Sequence, residues 1–195
     1  MRRSKVETAK TRKRIVKAAG AEFAANGISE AALARVMAAA GLTHGGFYRH
    51  FASKDQLVLE ACSKTVSSLV ASLERLISRK PHEQALPLLV DHYVSPAHRD
   101  QPRTGCPLAA LGSEFARRDK RTRRAAMEGF LQLSRLIASH LETVPSRKRA
   151  EQSMAIVSAM VGAVTLARIA PDARLSDAVL VATRDYIIRS VRQQR

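Results

Sequence analysis

Apolar residues recur at intervals of three and four along most of the chain, and this spacing predicts an all-α protein. Alanine is abundant and runs of β-branched residues are short, which also favours helices over strands. Glycines, prolines and capping residues divide the pattern into about nine helices, with a loop over residues 95–105. The predicted helices cover residues 4–26, 30–40, 44–51, 54–79, 83–93, 106–118, 120–143, 146–169 and 176–193.

The first three predicted helices have the lengths and turn signals of a helix-turn-helix unit. The first helix ends at Gly27, the second ends at Gly41, and Thr43 is positioned to cap the short third helix. We therefore expect two domains. A helix-turn-helix domain with a basic N-terminal arm covers residues 1–53, and a second helical domain covers residues 54–195.

The stretch from Gly41 to Lys54 predicts a short helix with one polar face and one apolar face. The outward residues are Thr43, His44, Tyr48, Arg49 and His50, and the inward residues are Leu42, Phe47 and Phe51. A compact helix that carries hydrogen-bonding side chains, is flanked by cations and is supported by aromatic rings suits the major groove of DNA.

The charge of the chain favours an anionic partner. The formal net charge is +16 and the sequence pI is about 11.0, which points to nucleic acid or to an acidic membrane surface. The first seventeen residues hold eight Lys or Arg against one acid, Glu7. This basic arm either contacts DNA or serves as a solubilising terminus. A hydrophobic content of 46% is enough for an ordinary core, so the chain is not a disordered tail.

Several classes of protein lack support in the sequence. Charge persists through Lys17, so the N-terminus has no apolar signal segment, and the stretch from Ser153 to Ala167 is too short and amphipathic to span a bilayer. Cys62 and Cys106 make neither a disulfide framework nor a zinc site, and no motif indicates an enzyme, a cofactor or a metal. We expect a cytoplasmic protein without a membrane partner. The rival interpretation is a helical protein that binds RNA or membranes nonspecifically, and it rests on charge alone.

Several motifs place fixed residue types at fixed offsets. They are Phe23 to Gly27, Ala40-Gly41-Leu42-Thr43, Gly46-Phe47-Tyr48-x-His50-Phe51-x-Ser53-Lys54-Asp55-x-Leu57, Gly105-Cys106-Pro107-Leu108 and Met160-Val161-Gly162-Ala163-Val164-x-Leu166-Ala167-Arg168. In order and spacing they resemble the TetR/AcrR family of bacterial transcriptional regulators. The resemblance is close over residues 10–60 and continues more loosely to the C-terminus.

This resemblance implies a homodimer whose helix-turn-helix domains bind the major grooves of a palindromic double-stranded DNA operator. It also implies a repressor that is released from DNA by a small-molecule effector in the C-terminal domain, with the last two helices forming the dimer interface. One departure is Ala31-Ala32, where relatives commonly carry Thr or Ser at the start of the second helix. Loss of a hydroxyl cap costs about 0.5–2 kcal/mol of helix stability unless Ser29 substitutes.

The candidate DNA contacts form two groups. Tyr48 and His50 match family positions that touch the DNA backbone, although Tyr48 could instead cover the first helix. Lys54 follows the capping box Ser53-x-x-Gln56, where a cation and a helix N-terminus can hold one phosphate together. Base recognition falls to Thr43, His44, Gly45, Gly46 and Arg49. The histidine can donate to guanine or thymine, the arginine favours guanine, and the glycines permit close approach of the backbone.

Two further features have more than one interpretation. The basic run at residues 117–124 lies on a solvated helix end, adds nonspecific attraction for DNA, or binds an anionic ligand. Residues 61–195 as a whole carry a net charge of +10, against +6 for residues 1–60. Cys106 begins a predicted helix near Arg103, so its thiol either senses oxidants and electrophiles or is buried and inert.

The second domain carries candidate ligand and dimer surfaces, and each of these residues could also be ordinary core. A largely apolar pocket would take a small molecule. Its candidates are Val66, Leu69, Leu73, Leu89, His92, Tyr93, Leu111, Phe115, Phe130, Leu131 and Ser134. Small residues that let helices approach closely would form the dimer surface together with a matching stripe on the last helix. The dimer candidates are Ala155, Ala159, Gly162, Ala163, Leu166, Val179, Thr183, Tyr186 and Ile187.

Overall fold

The computed structural model describes residues 5–141 and 144–192, and every regular element in these ranges is a helix. The predicted all-α fold is confirmed for this part of the chain. The α-helices are α1 (Lys5–Asn26), α2 (Leu33–Ala39), α3 (Lys54–Ile77), α4 (His82–Tyr93), α5 (Pro96–Asp100), α6 (Pro107–Ala116), α7 (Lys120–Ala138), α8 (Ser146–Ile169) and α9 (Ala173–Arg192). Two 3₁₀ helices, His44–Arg49 and Pro102–Thr104, complete the set.

The described residues form two compact units rather than two consecutive stretches of sequence. The first unit comprises the residues up to Val66 together with Pro102–Met127, so α6 and the start of α7 belong to it. The predicted boundary after residue 53 did not anticipate this return of the chain. The core of the first unit is built from aliphatic and aromatic side chains of its helices. It includes Ile15, Phe23, Ile28, Val36, Met37, Phe47, Phe51, Leu57 and Phe115.

The second unit comprises Ser67–Gln101 and the described residues from Glu128 onward. Its buried side chains include Leu73, Leu89, Tyr93, Leu133, Ile137, Val157, Met160, Val164 and Leu180. Polar contacts fix the start of α9, because Arg99 Nη1 lies 2.6 Å from Asp177 Oδ1 and 2.8 Å from Ser176 Oγ. The guanidinium of Arg168 on α8 donates to the carbonyls of His98 and Arg99, each at 3.0 Å.

The segment over residues 95–105, predicted as a loop, contains two short helices instead. Ser95 caps α5, because its Oγ accepts the N–H of His98 at 3.2 Å. Pro96 occupies the first helical turn, where its missing N–H has no cost. The prolines that favoured a loop therefore begin helical turns.

The last helix begins at Ala173, three residues before the predicted start. The carboxylate of Asp172 accepts the N–H of Leu175 at 2.8 Å and so caps the earlier turn. α7 ends at Ala138, five residues before its predicted end, and α2 begins at Leu33, three residues after its predicted start. The basic residues Arg2 and Arg3, the predicted first helical residue Ser4 and the predicted helix ends Thr143 and Gln193 lie outside the described residues.

α8 has its predicted bounds and extends beyond the weakly charged stretch Ser153–Ala167 at both ends. It runs over Ser146–Ile169, and by length and composition alone it could cross a membrane, with a mean hydropathy of 1.4 over an 18-residue window. The expectation that this segment is too short was therefore wrong. The helix buries one face in the second unit, with Ile156, Val157, Met160 and Val164 among its buried residues, and a core helix passes the same test.

Candidate nucleic-acid interface

The turn after α2 sets the position of the His44–Arg49 helix, which we call the recognition helix. Gly41 has a φ of +69°, a left-handed conformation that favours glycine. Its N–H donates to the carbonyl of Ala38 at 2.8 Å, and the N–H of Leu42 donates to that of Met37 at 2.9 Å. These bonds end α2 and reverse the chain, as the sequence predicted.

The recognition helix rests on buried aromatic rings. Phe47 and Phe51 are both fully buried and stack with their ring centroids 5.7 Å apart, which confirms that they are core residues. From α1, the guanidinium of Arg12 lies 4.1 Å from the centre of the Phe51 ring. The same guanidinium donates to the carbonyl of His50 and pairs with Glu60. Ring packing and a charged clamp thus hold the helix in one position.

The outer face of the recognition helix is polar and exposed. The side chains of His44 and Arg49 are exposed, and Tyr48 is 70% exposed with its ring edge-on to Phe47. Tyr48 therefore does not cover α1. His50, predicted to point outward, is half-buried because its backbone is drawn against α1. The exposed side chains can reach a groove without a change in the core.

Thr43 occupies the N-cap position of the recognition helix, but its hydroxyl makes no capping hydrogen bond. The predicted side-chain cap is therefore wrong, and the exposed hydroxyl remains oriented to solvent. Gly45 has no atom within 4 Å of the position where a Cβ would stand, and Gly46 has only the Met37 Cε at 3.6 Å. Internal packing does not require a glycine at either position, which leaves approach by an external backbone or base as a reason for them.

The start of α3 has the predicted capping box. The Oγ of Ser53 accepts the N–H of Gln56 at 3.1 Å, and the Gln56 Oε1 accepts the N–H of Ala52 at 2.8 Å. This arrangement fixes the helix N-terminus, whose partial positive charge suits an anion.

Lys54 does more than the sequence predicted. Its Nζ donates to the carbonyl of Ala31 at 2.8 Å and to that of Ser29 at 3.3 Å. Partial burial lowers the pKa of Lys54, and the nearby Arg118 guanidinium lowers it further. The ammonium therefore braces the chain entering α2, at the end of α3 where the sequence predicts a phosphate contact.

α2 begins without a side-chain cap, as its two alanines predicted. Ala32 is the N-cap residue and makes no side-chain bond, while Ala31 is fully buried in the core. Ser29 does not substitute for the missing hydroxyl. Instead, the carboxylate of Glu114 on α6 accepts the N–H groups of Ile28 at 2.8 Å and of Ser29 at 3.2 Å. No pattern in the sequence indicates this contact, because the partners lie 86 and 85 residues apart.

Some basic residues of α1 make hydrogen bonds within the fold, and others are exposed to solvent. Arg12 holds the recognition helix, and Arg14 donates to the carbonyl of Ala40 at the end of α2. Lys10, Lys13 and Lys17 are exposed. Only part of the basic arm is therefore available to an outside anion.

The basic run at residues 117–124 belongs to the first unit. Arg118 Nη1 lies 3.4 Å from the Asp55 carboxylate in the first turn of α3. Asp119 caps α7, because its Oδ1 accepts the N–H of Arg121 at 2.7 Å. The residues of the first unit, counted from residue 1, hold nineteen Lys or Arg against seven Asp or Glu, a net charge of +12 of the total +16.

The predicted ligand residues fall into different environments. Val66, Leu111 and Phe115 are buried in the first unit. The others belong to the second unit, where Leu73, Leu89, Tyr93 and Ser134 are buried, Leu69 and Phe130 are half-buried, and His92 and Leu131 are exposed. An open cleft of about 420 Å³ between α3 and α7 in the second unit is lined by other residues, among them Val70, Glu74 and Arg135.

Four of the nine predicted dimer residues line an open cleft between α8 and α9. The cleft has a volume of about 600 Å³, and Ala155, Ala159 and Tyr186 line it. Ile187 also lines the cleft but is only 1% exposed, and Ala163 is 3% exposed, so both side chains pack mainly within the chain. Gly162, Val179 and Thr183 are half-buried, and Leu166 is exposed. Exposed apolar residues that the sequence analysis did not select are Ile169, Leu175 and Val181.

Both cysteines are buried. Cys106 is fully buried at the start of α6, which favours the inert interpretation of its thiol. Burial and the nearby Cys106 raise the pKa of Cys62 to about 12. Within residues 5–141 and 144–192, no group of three His, Cys, Asp or Glu is placed to hold a metal ion.

Comparison with protein families gives two matches along the chain. The model for bacterial regulatory proteins of the tetR family matches residues 15–61. The model for the C-terminal domain of LmrA/YxaF-like transcriptional regulators matches residues 83–179. The first match covers α2, the recognition helix and the start of α3, together with most of α1.

Individual proteins agree with the family matches. A probable acrEF/envCD operon repressor of Escherichia coli K12 is 41% identical over 59 residues, which is 30% of this chain and 27% of that protein. A solved TetR regulator from Chloroflexus aurantiacus is 26% identical, covers 93% of this chain and 96% of its own, and gives a TM-score of 0.76. A TetR-family regulator from Cytophaga hutchinsonii shares the fold, with a TM-score of 0.79 at 19% identity over 97% of this chain and 98% of its own.

Proposed function

Because the chain belongs to the TetR/AcrR family of bacterial transcriptional regulators, we propose that it is a repressor that binds a palindromic operator as a homodimer and is released by a small molecule. One observation carries the proposal. The exposed polar face of the recognition helix stands on a buried aromatic base, in a unit with a net charge of +12. A rigid helix of this kind can present side chains to base edges while the surrounding cations attract the phosphates.

The DNA contacts divide by chemistry. His44, Arg49 and Thr43 are exposed hydrogen-bonding groups that can contact base edges in a major groove. Tyr48 and the N-terminus of α3 beside Lys54 would hold phosphates, which fix the position of the protein on DNA without selecting a sequence. The proposed site thus combines exposed side chains that contact bases with the partly buried Lys54 that holds a phosphate.

Dimerisation follows from the size of the site. One short helix contacts too few bases to select a site in a genome, so two copies are needed, about 34–36 Å apart on DNA. The exposed apolar residues of α8 and α9, Leu166 and Tyr186 among them, support the surface of these two helices as the contact between the two copies. The chain would act in the cytoplasm, where it meets chromosomal DNA, and its proposed role requires no catalysis.

Release by an effector is the family's usual response. The predicted pocket residues that are buried or half-buried in the second unit, Leu73, Leu89 and Phe130 among them, are largely apolar, which suits a small organic molecule. Repression is consistent with the name of the Escherichia coli relative, an operon repressor whose aligned segment spans 27% of its own length.

Selection from random duplex DNA tests the proposal. The expected result is an inverted repeat with half-sites one helical turn apart. Uniform recovery of sequences, with an affinity that falls steeply as salt rises, would instead identify a nonspecific nucleic-acid-binding protein.

A further inference from the structure

The turn between α6 and α7 concentrates positive charge on the surface of the first unit. We call Arg117, Arg118, Lys120 and Arg121 the basic corner. Three of its members, all except Arg118, are exposed, and Arg118 is half-buried. The predicted function assigns no role to these cations.

The basic corner contacts the N-terminus of α3, within one compact unit. Arg118 Nη1 lies 3.4 Å from the Asp55 carboxylate, one residue beyond Lys54. Arg118 is also close enough to Lys54 to lower the pKa of its ammonium. On the same side, Glu114 at the end of α6 binds the backbone of Ile28 and Ser29 at the entry to α2. The corner is thus fixed against the elements that carry the proposed phosphate contacts.

The acidic residues around the basic corner already have partners in the fold. Asp119 accepts the N–H groups of Arg121 and Thr122 and the Thr122 hydroxyl, and these bonds lower its pKa. Asp55 pairs with Arg118, and Glu114 accepts two backbone N–H groups. The exposed cations of the corner therefore remain oriented toward solvent as a net positive surface.

We propose that the basic corner is a second contact with the DNA backbone, which binds phosphates that flank the half-site occupied by the recognition helix. This inference rests on the proposed function, because the recognition helix must first place the unit on its operator. An anionic membrane would also attract cations, but the position beside the α3 N-terminus favours DNA. A contact of this kind lengthens the bound site without adding sequence selectivity.

The test compares two duplexes that contain the selected operator. One duplex ends at the outer edges of the half-sites, and the other extends about ten base pairs further on both sides. The variant Arg117→Gln, Lys120→Gln, Arg121→Gln removes three exposed cations. The control Arg75→Gln, Arg79→Gln, Lys80→Gln removes the same charge from exposed positions near the end of α3 and just beyond it, in the second unit.

We expect the wild type to prefer the extended duplex by about tenfold at moderate salt, and we expect the corner variant to lose this preference. The slope of log affinity against log salt should fall by about 0.9 for each phosphate contact that is lost. On the short duplex, the corner variant and the wild type should bind alike. Circular dichroism melts monitor folding, and Arg121→Gln alone gives a smaller effect in the same direction if the triple variant does not fold.

The outcomes separate this inference from the proposed function. If the corner variant keeps wild-type affinity for the extended duplex, or if the control loses as much as the corner variant, the second contact is overturned while operator binding stands. If the wild type binds operator and scrambled duplexes equally, the proposed function itself fails. Binding of the wild type, but not of the corner variant, to anionic lipid vesicles with unchanged DNA affinity would assign the corner to a membrane instead.

Discussion

Arg49 and Lys54 lie five positions apart and have different surroundings. The Arg49 side chain is exposed at the end of the recognition helix, whereas the Lys54 ammonium donates to the carbonyls of Ser29 and Ala31. The Arg49 side chain can therefore contact a base, or be replaced, without a change in the fold. Lys54, in contrast, belongs both to the fold and to the proposed phosphate site.

We expect Arg49→Ala to weaken binding to the operator and to leave binding to a scrambled duplex nearly unchanged. A specific contact from an arginine to guanine contributes about 1–3 kcal/mol of discrimination, which corresponds to about 5- to 150-fold in affinity. Lys54→Ala is the comparison variant. It should weaken binding to both the operator and the scrambled duplex, because it removes the proposed phosphate contact. Fluorescence anisotropy on both duplexes measures the effect. Equal losses on both for Arg49→Ala would remove this residue from base recognition.

Substitution by alanine should have different effects at Gly45 and at Gly27, on operator binding at the first and on stability at the second. Nothing lies within 4 Å of a Cβ at Gly45, so Gly45→Ala should not lower the free energy of unfolding, but it should weaken operator binding if the backbone approaches DNA closely. Gly27 has a φ of +77° and a Cβ there would lie 2.8 Å from Glu114 Oε1, so Gly27→Ala should destabilise the protein by about 1–3 kcal/mol. Urea unfolding and anisotropy are the two measurements. Unchanged operator affinity for a folded Gly45→Ala would contradict the role of close approach.

At the scale of helices, the apolar spacing was sufficient to predict most of the elements. α1, α3 and α8 begin and end within about two residues of their predicted bounds, because glycine, proline and the Ser53–Gln56 box mark their ends in the sequence. α5 was predicted as part of a loop and the start of α9 was placed three residues too late, because a single serine or aspartate cap outweighed the local pattern. Such caps depend on backbone geometry that spacing does not specify.

The contacts that hold the site in place were less accessible to prediction. The exposed face of the recognition helix could be predicted from its own residues. The bond from Lys54 to Ala31, the Glu114 carboxylate under α2 and the Arg12 clamp join residues 23 to 86 positions apart. Only the packed arrangement of helices brings these groups together.

The environment of His98, in the short helix α5, leads us to expect that stability depends on pH. His98 packs against the Tyr93 ring and its Nδ1 lies 2.7 Å from the Tyr93 carbonyl oxygen. Burial lowers the pKa of His98 below its usual 6.5. The hydrogen bond to the Tyr93 carbonyl opposes this shift, and the positive charge of Arg168 and the neighbouring His92 add to it. As the pH falls, the His98 imidazole is therefore protonated in the unfolded chain before it is protonated in the folded chain. The contribution of neutral His98 to the free energy of unfolding is complete above pH 6.5 and is lost as the pH falls from there toward the lowered pKa.

We expect His98→Gln to reduce this acid sensitivity. Urea unfolding at about pH 7.5 and about pH 5 compares the variant with the wild type, and the variant should lose less free energy of unfolding between the two conditions. His44→Gln is the matched control, since His44 is exposed on the recognition helix. An acid-induced loss of the same size in His98→Gln and the wild type would show that His98 does not contribute.

At the scale of the whole molecule, charge and apolar surface are unevenly distributed. The first unit carries +12 of the net charge of +16, which leaves +4 for the second. The second unit instead exposes large apolar side chains on α8 and α9, such as Leu166, Ile169 and Tyr186. This distribution is typical of a protein that binds an anion with one part and a copy of itself with another.

We expect Tyr186→Arg to weaken the dimer. The side chain is 66% exposed in the single chain, so the change should leave the fold intact while it places a charge in the contact between copies. Sedimentation equilibrium should show a monomer, and operator affinity should fall toward that of a single half-site. Lys64→Glu, at an exposed site in the first unit, controls for a change of charge at the surface. A dimer of unchanged strength in Tyr186→Arg would place the interface elsewhere.

The central claim is that the recognition helix selects the bases of an inverted repeat. Selection from random duplex DNA tests it most directly when the wild type and a His44→Ala, Arg49→Ala variant are run in parallel. The wild type should recover an inverted repeat, and the variant should recover the same arrangement with degenerate bases at the positions that these side chains contact. Recovery of the same sharp motif by both proteins, or of no motif by the wild type, would contradict the claim.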